Sequence, residues 1–182
     1  MNDQISSDTI TIVDSFPLPL CQSVRNHRAS IFEGLADIGY NASKHLWFYS
    51  FKVHMLVTLS GYILNYIVTS ASVHDIKVVE DLLEGCQQSV ILADLGYLSQ
   101  SLKDRLKQRG YHLWTPLHQN MGSADQHNNW RLLAMRRTIE TRFSELCALF
   151  DVEHTFERGV AGLQLRIEQI LLTYNLSYVE LN

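Results

Sequence analysis

From residue 47 onward the chain alternates with a period of two. Trp47, Tyr49, Phe51, Val53, Met55, Val57 and Leu59 fall on one side, and Ser50, Lys52, His54 and Thr58 on the other. Only an extended strand sends successive side chains to opposite faces, so this run specifies a long β-strand with an aromatic and aliphatic core face. Ser60-Gly61 then makes a turn. The β-branched run 62–69 returns beside the strand as an antiparallel hairpin.

Other elements assemble around that hairpin. Residues 9–13 alternate threonine with β-branched apolar residues, and Pro17 and Pro19 follow shortly, so this strand is expected to end at Asp14. The stretch 24–44 is polar and weakly periodic and reads as a long surface loop. Ser72-Val73-His74-Asp75 has the form of a capping box, and Ile76, Val79, Leu82 and Leu83 continue at helical spacing until Gly85. Val90-Ile91-Leu92-Ala93 is an unbroken apolar run, as in a parallel strand covered on both faces, and it ends at Asp94. A helix over about 100–108, a short strand over 111–115 and a polar segment over 118–129 come next. A long helix carries Leu132, Met135, Ile139, Phe143, Leu146 and Phe150 at spacings of three and four, with Glu140 beside that stripe. The last helix, over about 162–178, is the most apolar and is expected to complete the core. The fold class is therefore α/β: a mixed sheet with an antiparallel hairpin and a parallel central strand, flanked by helices. At 182 residues and 46% hydrophobic content, one domain spanning 1–182 is expected.

Two strands that each end in an aspartate raise a chemical question. Carboxylates at strand ends are held rigidly and still meet solvent, which suits a divalent cation with oxygen ligands. A right-handed crossover brings the strand ending at Asp94 beside the strand ending at Asp14. Neighbouring strands lie about 4.8 Å apart, close enough for a shared pair of ions. Glu140 is the candidate third ligand, arriving from a helix. Simpler roles stand beside these. Asp14 and Asp94 are also turn formers before Pro17 and Gly96, and Glu140 is placed to pair with Arg136 or Arg137 one turn away. Asp75 has two readings, a contact behind the metal ligands and a helix cap; the cap explains it fully, and it is kept out of the triad.

The stretches "DSFPLPLC", "GYNASKHLWFYSFKVH", "SVHDIKVVEDL", "LADLGY", "LWTPLHQNM" and "RRTIETRFSEL" resemble the catalytic domain of DDE-type transposases of bacterial insertion sequences, from about Thr9 to the end of the chain. The resemblance implies an RNase H-like fold. It implies Asp14, Asp94 and Glu140 as catalytic carboxylates holding two Mg²⁺ or Mn²⁺ ions. It further implies hydrolysis at transposon ends, then attack of the freed 3′-hydroxyl on target DNA with no covalent enzyme intermediate. Arg136 matches a Tyr-Arg-Glu-Lys signature around the third acid, whereas Leu133 and Cys147 stand at its Tyr and Lys positions, and Leu95 stands where relatives often carry lysine. Relatives usually carry an N-terminal helical reader of the transposon ends, and here the first strand starts almost at once, so a truncated copy, or a gene split by a frameshift, is expected.

Charge and composition limit the partners. Arg25, Arg28, Lys44 and Lys52 are candidate phosphate contacts, and Arg136 and Arg137 beside Glu140 join the DNA-binding set. A net charge of −4 and a pI near 6.0 argue against strong autonomous DNA binding. This leaves open a non-catalytic remnant that binds DNA weakly or partners a full-length transposase. A general RNase H-like nuclease without end preference is a third reading. The three cysteines show no CxxC pairing and the eight histidines no HExxH, so no disulfide framework or zinc site is expected. No organic cofactor is expected beside the metal ions that the resemblance implies. His54 and His74 read as sheet-face and cap residues, and the aromatic face Trp47, Tyr49 and Phe51 as core, not a base-stacking platform. No apolar run approaches about 18 residues and no signal peptide is evident. A cytoplasmic protein away from membranes is the expectation, and the resemblance implies that it acts on DNA as a dimer or larger homo-oligomer.

Overall fold

The computed structural model describes residues 9–21, 28–41, 45–154 and 156–178. The strands are β1 (Ile10–Pro19), β2 (Asp37–Asn41), β3 (Leu46–Thr58), β4 (Ile63–Ser70), β5 (Val90–Leu92) and β6 (His112–Trp114). The helices are α1 (Val79–Leu82), α2 (Gln100–Gln108), α3 (Ala124–His127), α4 (Trp130–Phe150) and α5 (Val160–Leu176), and 3-10 turns at Asp75–Lys77 and Leu95–Tyr97 precede α1 and α2. The chain divides into two compact units: Met1–Asp14, His54–Tyr66 and His74–Arg142 in the first, and Ser15–Val53, Ile67–Val73 and Phe143–Asn182 in the second.

The first unit is built on β5. It pairs in parallel with β1 (Ile10↔Val90, Thr11↔Ile91, Ile12↔Leu92) and with β6 (Val90↔His112, Ile91↔Leu113, Leu92↔Trp114). Two parallel neighbours and two covered faces demand an all-apolar strand, and Ile91, Leu92 and Ala93 are fully buried. β1 also neighbours β3, which carries β4 through the turn at Ser60-Gly61, where Gly61 adopts φ 106°. α2 packs on β6 through buried Leu102 and Leu106, and Ser99 accepts the Leu102 N–H at its start. The segment 118–129, expected as polar and sparsely ordered, contains α3 and is tied down by its own side chains. Asn128 bonds both the N–H and the C=O of Leu117, and His127 Nε2 meets the Thr115 carbonyl at 2.9 Å.

The expected helix after "SVHD" is broken in two. A 3-10 turn, Asp75–Lys77, precedes the single turn of α1, and the capping acceptor is His74 Nδ1, which takes the Ile76 N–H at 3.3 Å. Ser72 engages Asp37 instead. Val78 at φ −101° interrupts the ladder between the two pieces.

In the second unit β2 pairs antiparallel with β3 from Asp37↔Ser50 to Asn41↔Leu46. The stretch 24–44 is thus not loop throughout. Its "DIGYN" segment has little strand propensity and becomes a strand because β3 offers an edge. Gly39 permits a close approach there, since a Cβ at that position would stand 2.6 Å from the Ala71 Cβ. Trp47, expected in the core, is 59% exposed and pairs across the hairpin with Tyr40 at 5.0 Å between ring centroids, whereas Tyr49 and Phe51 are buried. β1 also runs past its expected end, through Pro17 and Pro19. Leu20 donates its N–H to the Tyr49 carbonyl at 3.0 Å. Residues of odd number nearby therefore point their nitrogens the other way, where the β5 ladder has stopped at Ile12. Proline costs no ladder bond at such positions. α5 buries Leu163, Ile167, Ile170, Leu171 and Tyr174, with Phe150 of α4 edge-on to Tyr174 at 6.3 Å. Among the described residues no helix is long and apolar enough to cross a membrane.

Candidate active site

The register of β1 against β5 answers why both strands lead to an aspartate. Ile12 pairs with Leu92, so the offset between the strands is the offset between Asp14 and Asp94. Each acid lies two residues past the last paired position, and registered positions in parallel strands share a face. Asp14 continues within β1, while Asp94 leaves β5 and caps the 3-10 turn Leu95–Tyr97, its Oδ1 accepting the Gly96 N–H at 2.8 Å. That bond fixes one oxygen of Asp94 and leaves Oδ2 to face elsewhere.

Both acids face Arg136. Its Nη2 lies 2.9 Å from Asp14 Oδ2 and 3.6 Å from Asp94 Oδ2, and its Nη1 donates to Glu140 Oε1 at 2.8 Å. Arg136 and Glu140 stand one helical turn apart on α4, so a single helix delivers both the cation and the third carboxylate. Exposure grades across the group: Asp14 13%, Arg136 15%, Asp94 39% and Glu140 59%. All four residues belong to the first unit.

The three acids thus meet around one guanidinium, and the Arg136–Glu140 pairing foreseen as the simpler role of Glu140 is present as well. Among the described residues no three His, Cys, Asp or Glu side chains form a ready-made metal cage. The donor set nevertheless fits Mg²⁺ or Mn²⁺ in kind. It offers only carboxylate oxygens, such ions need few protein ligands because they retain water, and a positive group already sits where the three acids point. Glu140 is the most exposed of the three.

The candidate DNA contacts differ in their local settings. Arg28 and Arg137 are exposed, Lys52 donates to the Val73 carbonyl at 3.0 Å, and Arg136 is committed to the acids. Arg25 and Lys44 lie outside the described residues. Asp75, read from the sequence as a helix cap or a contact behind the metal ligands, is not the capping acceptor of its turn, which is His74, and its Oδ1 lies 3.5 Å from Nδ1 of buried His54.

A family model described as "Transposase DDE domain" matches residues 4–160. Among solved structures the chain is similar to one in the cryoEM structure of the simian T-cell lymphotropic virus intasome in complex with PP2A regulatory subunit B56 gamma. The identity is 15% and the TM-score 0.48, with 96% of this chain and 49% of that one covered, so the chain spans about half the length of that relative. No curated protein matches the chain.

Proposed function

The chain belongs to the DDE transposase family, and from that premise we propose that residues 1–182 are one RNase H-like catalytic domain of an insertion-sequence transposase. Its substrates are DNA transposon ends and target DNA, and it acts as a homo-oligomer. Asp14, Asp94 and Glu140 hold two Mg²⁺ or Mn²⁺ ions. The observation that carries this reading is the meeting of all three carboxylates at Arg136, two of them in parallel register and one on α4.

When bound, such ions activate the attacking oxygen and steady the leaving oxygen of a phosphodiester. The protein's residues divide the remaining work. Asp14, mostly buried in β1, is the most enclosed of the acids that would hold the ions. Asp94, pinned through Oδ1 by the Gly96 amide, presents Oδ2. Glu140 adjusts from the helix. Arg136, which fills the centre of the acids, orients them toward one point and stands ready for the phosphate. With oxygen nucleophiles supplied by water or a 3′-hydroxyl, no side chain becomes covalently attached to DNA.

The test is nicking of supercoiled plasmid with Mn²⁺, alongside calorimetric Mn²⁺ titration, for the parent, Asp14→Asn, Asp94→Asn and Glu140→Gln. Loss of a metal-bound transition state costs several kcal/mol, so each variant is expected to nick at least about a hundredfold more slowly. Variants of both aspartates that bind Mn²⁺ as the parent does would sink the site assignment. The net charge of −4 favours one competing reading, a non-catalytic remnant that binds DNA weakly or pairs with a full-length transposase. A folded parent that binds Mn²⁺ yet nicks nothing would support it.

A further inference from the structure

Two 3-10 turns pack together beside the proposed site, Asp75–Lys77 against Leu95–Tyr97. Gly96 stands at their junction. A Cβ built there would lie 3.0 Å from Asp94 Oδ1 and 3.8 Å from Asp75 Oδ2, so the two carboxylates border one small volume that only a hydrogen fills. The other oxygen of Asp75 lies 3.5 Å from Nδ1 of His54, which is 1% exposed on β3. His54 and its sheet therefore limit where Asp75 can turn. Helix capping does not account for Asp75, because His74 performs it.

We infer that His54 and Asp75 are positioning residues for Asp94, acting across Gly96. The inference rests on the reading of Asp94 as a metal ligand. Like charges that border one small volume repel, so the Asp75 carboxylate disfavours any rotation of Asp94 toward it. The Gly96 amide already holds Asp94 Oδ1. The remaining low-energy arrangement turns Oδ2 toward the side where Asp14, Glu140 and Arg136 lie. Asp75 also adds negative potential next to the cation position, which favours a divalent ion there. His54 limits how far this second acid can turn away from the first.

Partners of ligating groups typically change metal affinity by about 10–100-fold when removed. Calorimetric Mn²⁺ titration of the full chain tests the idea with Asp75→Asn, Gly96→Ala, His54→Gln and Asp14→Asn, each also followed by circular dichroism through thermal unfolding. Asp75→Asn preserves shape and removes charge, and its side chain is partly exposed. Gly96 is not in the left-handed region, so Gly96→Ala adds a methyl against Asp94 without backbone strain. Both are expected to weaken Mn²⁺ binding about tenfold or more while the unfolding midpoint stays within a few degrees of the parent. A role confined to folding would move the midpoint and leave affinity alone. His54→Gln is expected to weaken binding in the same sense, and should either it or Asp75→Asn fail to fold, the other decides. The inference is overturned if the folded variants bind Mn²⁺ like the parent while Asp14→Asn does not. If Asp14→Asn also binds like the parent, it is the proposed function that fails.

Discussion

A guanidinium 2.9 Å from Asp14 and 3.6 Å from Asp94, itself only 15% exposed, balances two acids that would otherwise repel across neighbouring strands. Its contact with exposed Glu140 adds little stability, since solvent screens such pairs. Replacing Arg136 with Gln keeps an amide donor and removes the charge, at a cost of about 1.5–3 kcal/mol, the range for hydrogen bonds to charged groups. Chemical denaturation should show that loss. Arg136→Lys should recover only part of it, because an ammonium cannot reproduce the planar fork that serves Asp14 and Glu140 from separate nitrogens. An Arg136→Gln chain as stable as the parent would mean that the acids do not depend on it. Asp14 and Asp94 were legible as strand-borne acids because one follows a β-branched alternation and the other an unbroken apolar run, each of which reads as a strand. Arg136 was harder to assign. Two adjacent arginines compete, and only the rotation of α4 that buries Ile139 decides that Arg136 turns inward and Arg137 outward.

At the scale of elements, periodicity carried most of the reading where a segment's own side chains decide its state. The β3 run, the β5 core strand and α2 over residues 100–108 are of that kind. β2 and the continuation of β1 were not legible, since pairing across the sheet and not local propensity makes them strands. The end of α4 offers a test of local electrostatics. Asp151 follows the helix at φ 50°, a left-handed turn that short polar residues tolerate. Its carboxylate meets His154 Nδ1, and that hydrogen bond, then the charge of Asp151, raises the histidine's pKa above its ordinary value of 6.5. A raised folded-state value means the contact contributes fully below the unfolded histidine's value and is lost as pH rises through the folded one. An NMR titration of the His154 ring should therefore show a midpoint above 6.5, returning toward it in Asp151→Asn. An unchanged midpoint in that variant would show that the carboxylate is not the cause.

At the scale of the whole chain, the family match and the folding unit do not coincide. The match ends at residue 160, the first residue of α5, so α5 lies almost entirely beyond it. Yet α5 supplies Leu163, Ile167, Ile170, Leu171 and Tyr174 to the interior of the second unit. Burying a large apolar side chain is worth about 1.5–3 kcal/mol, and a domain's net stability is only about 5–15 kcal/mol. Deleting five such contributions removes as much as the unit has to lose. The apolar character of this helix was plain from its composition. Its outer face was not, because Leu165, Leu172 and Leu176 are more than half exposed and look the same in sequence as the buried leucines. A chain ended at residue 160 keeps all three acids and Arg136, and it is expected to lose cooperative unfolding in the second unit. The loss should appear as rapid amide exchange at Leu18 and Tyr49 and as a smaller denaturant m-value, since m follows the surface exposed on unfolding. If the shortened chain instead unfolds with the parent's midpoint and slope, α5 is an accessory, and the matched region is by itself the folding unit.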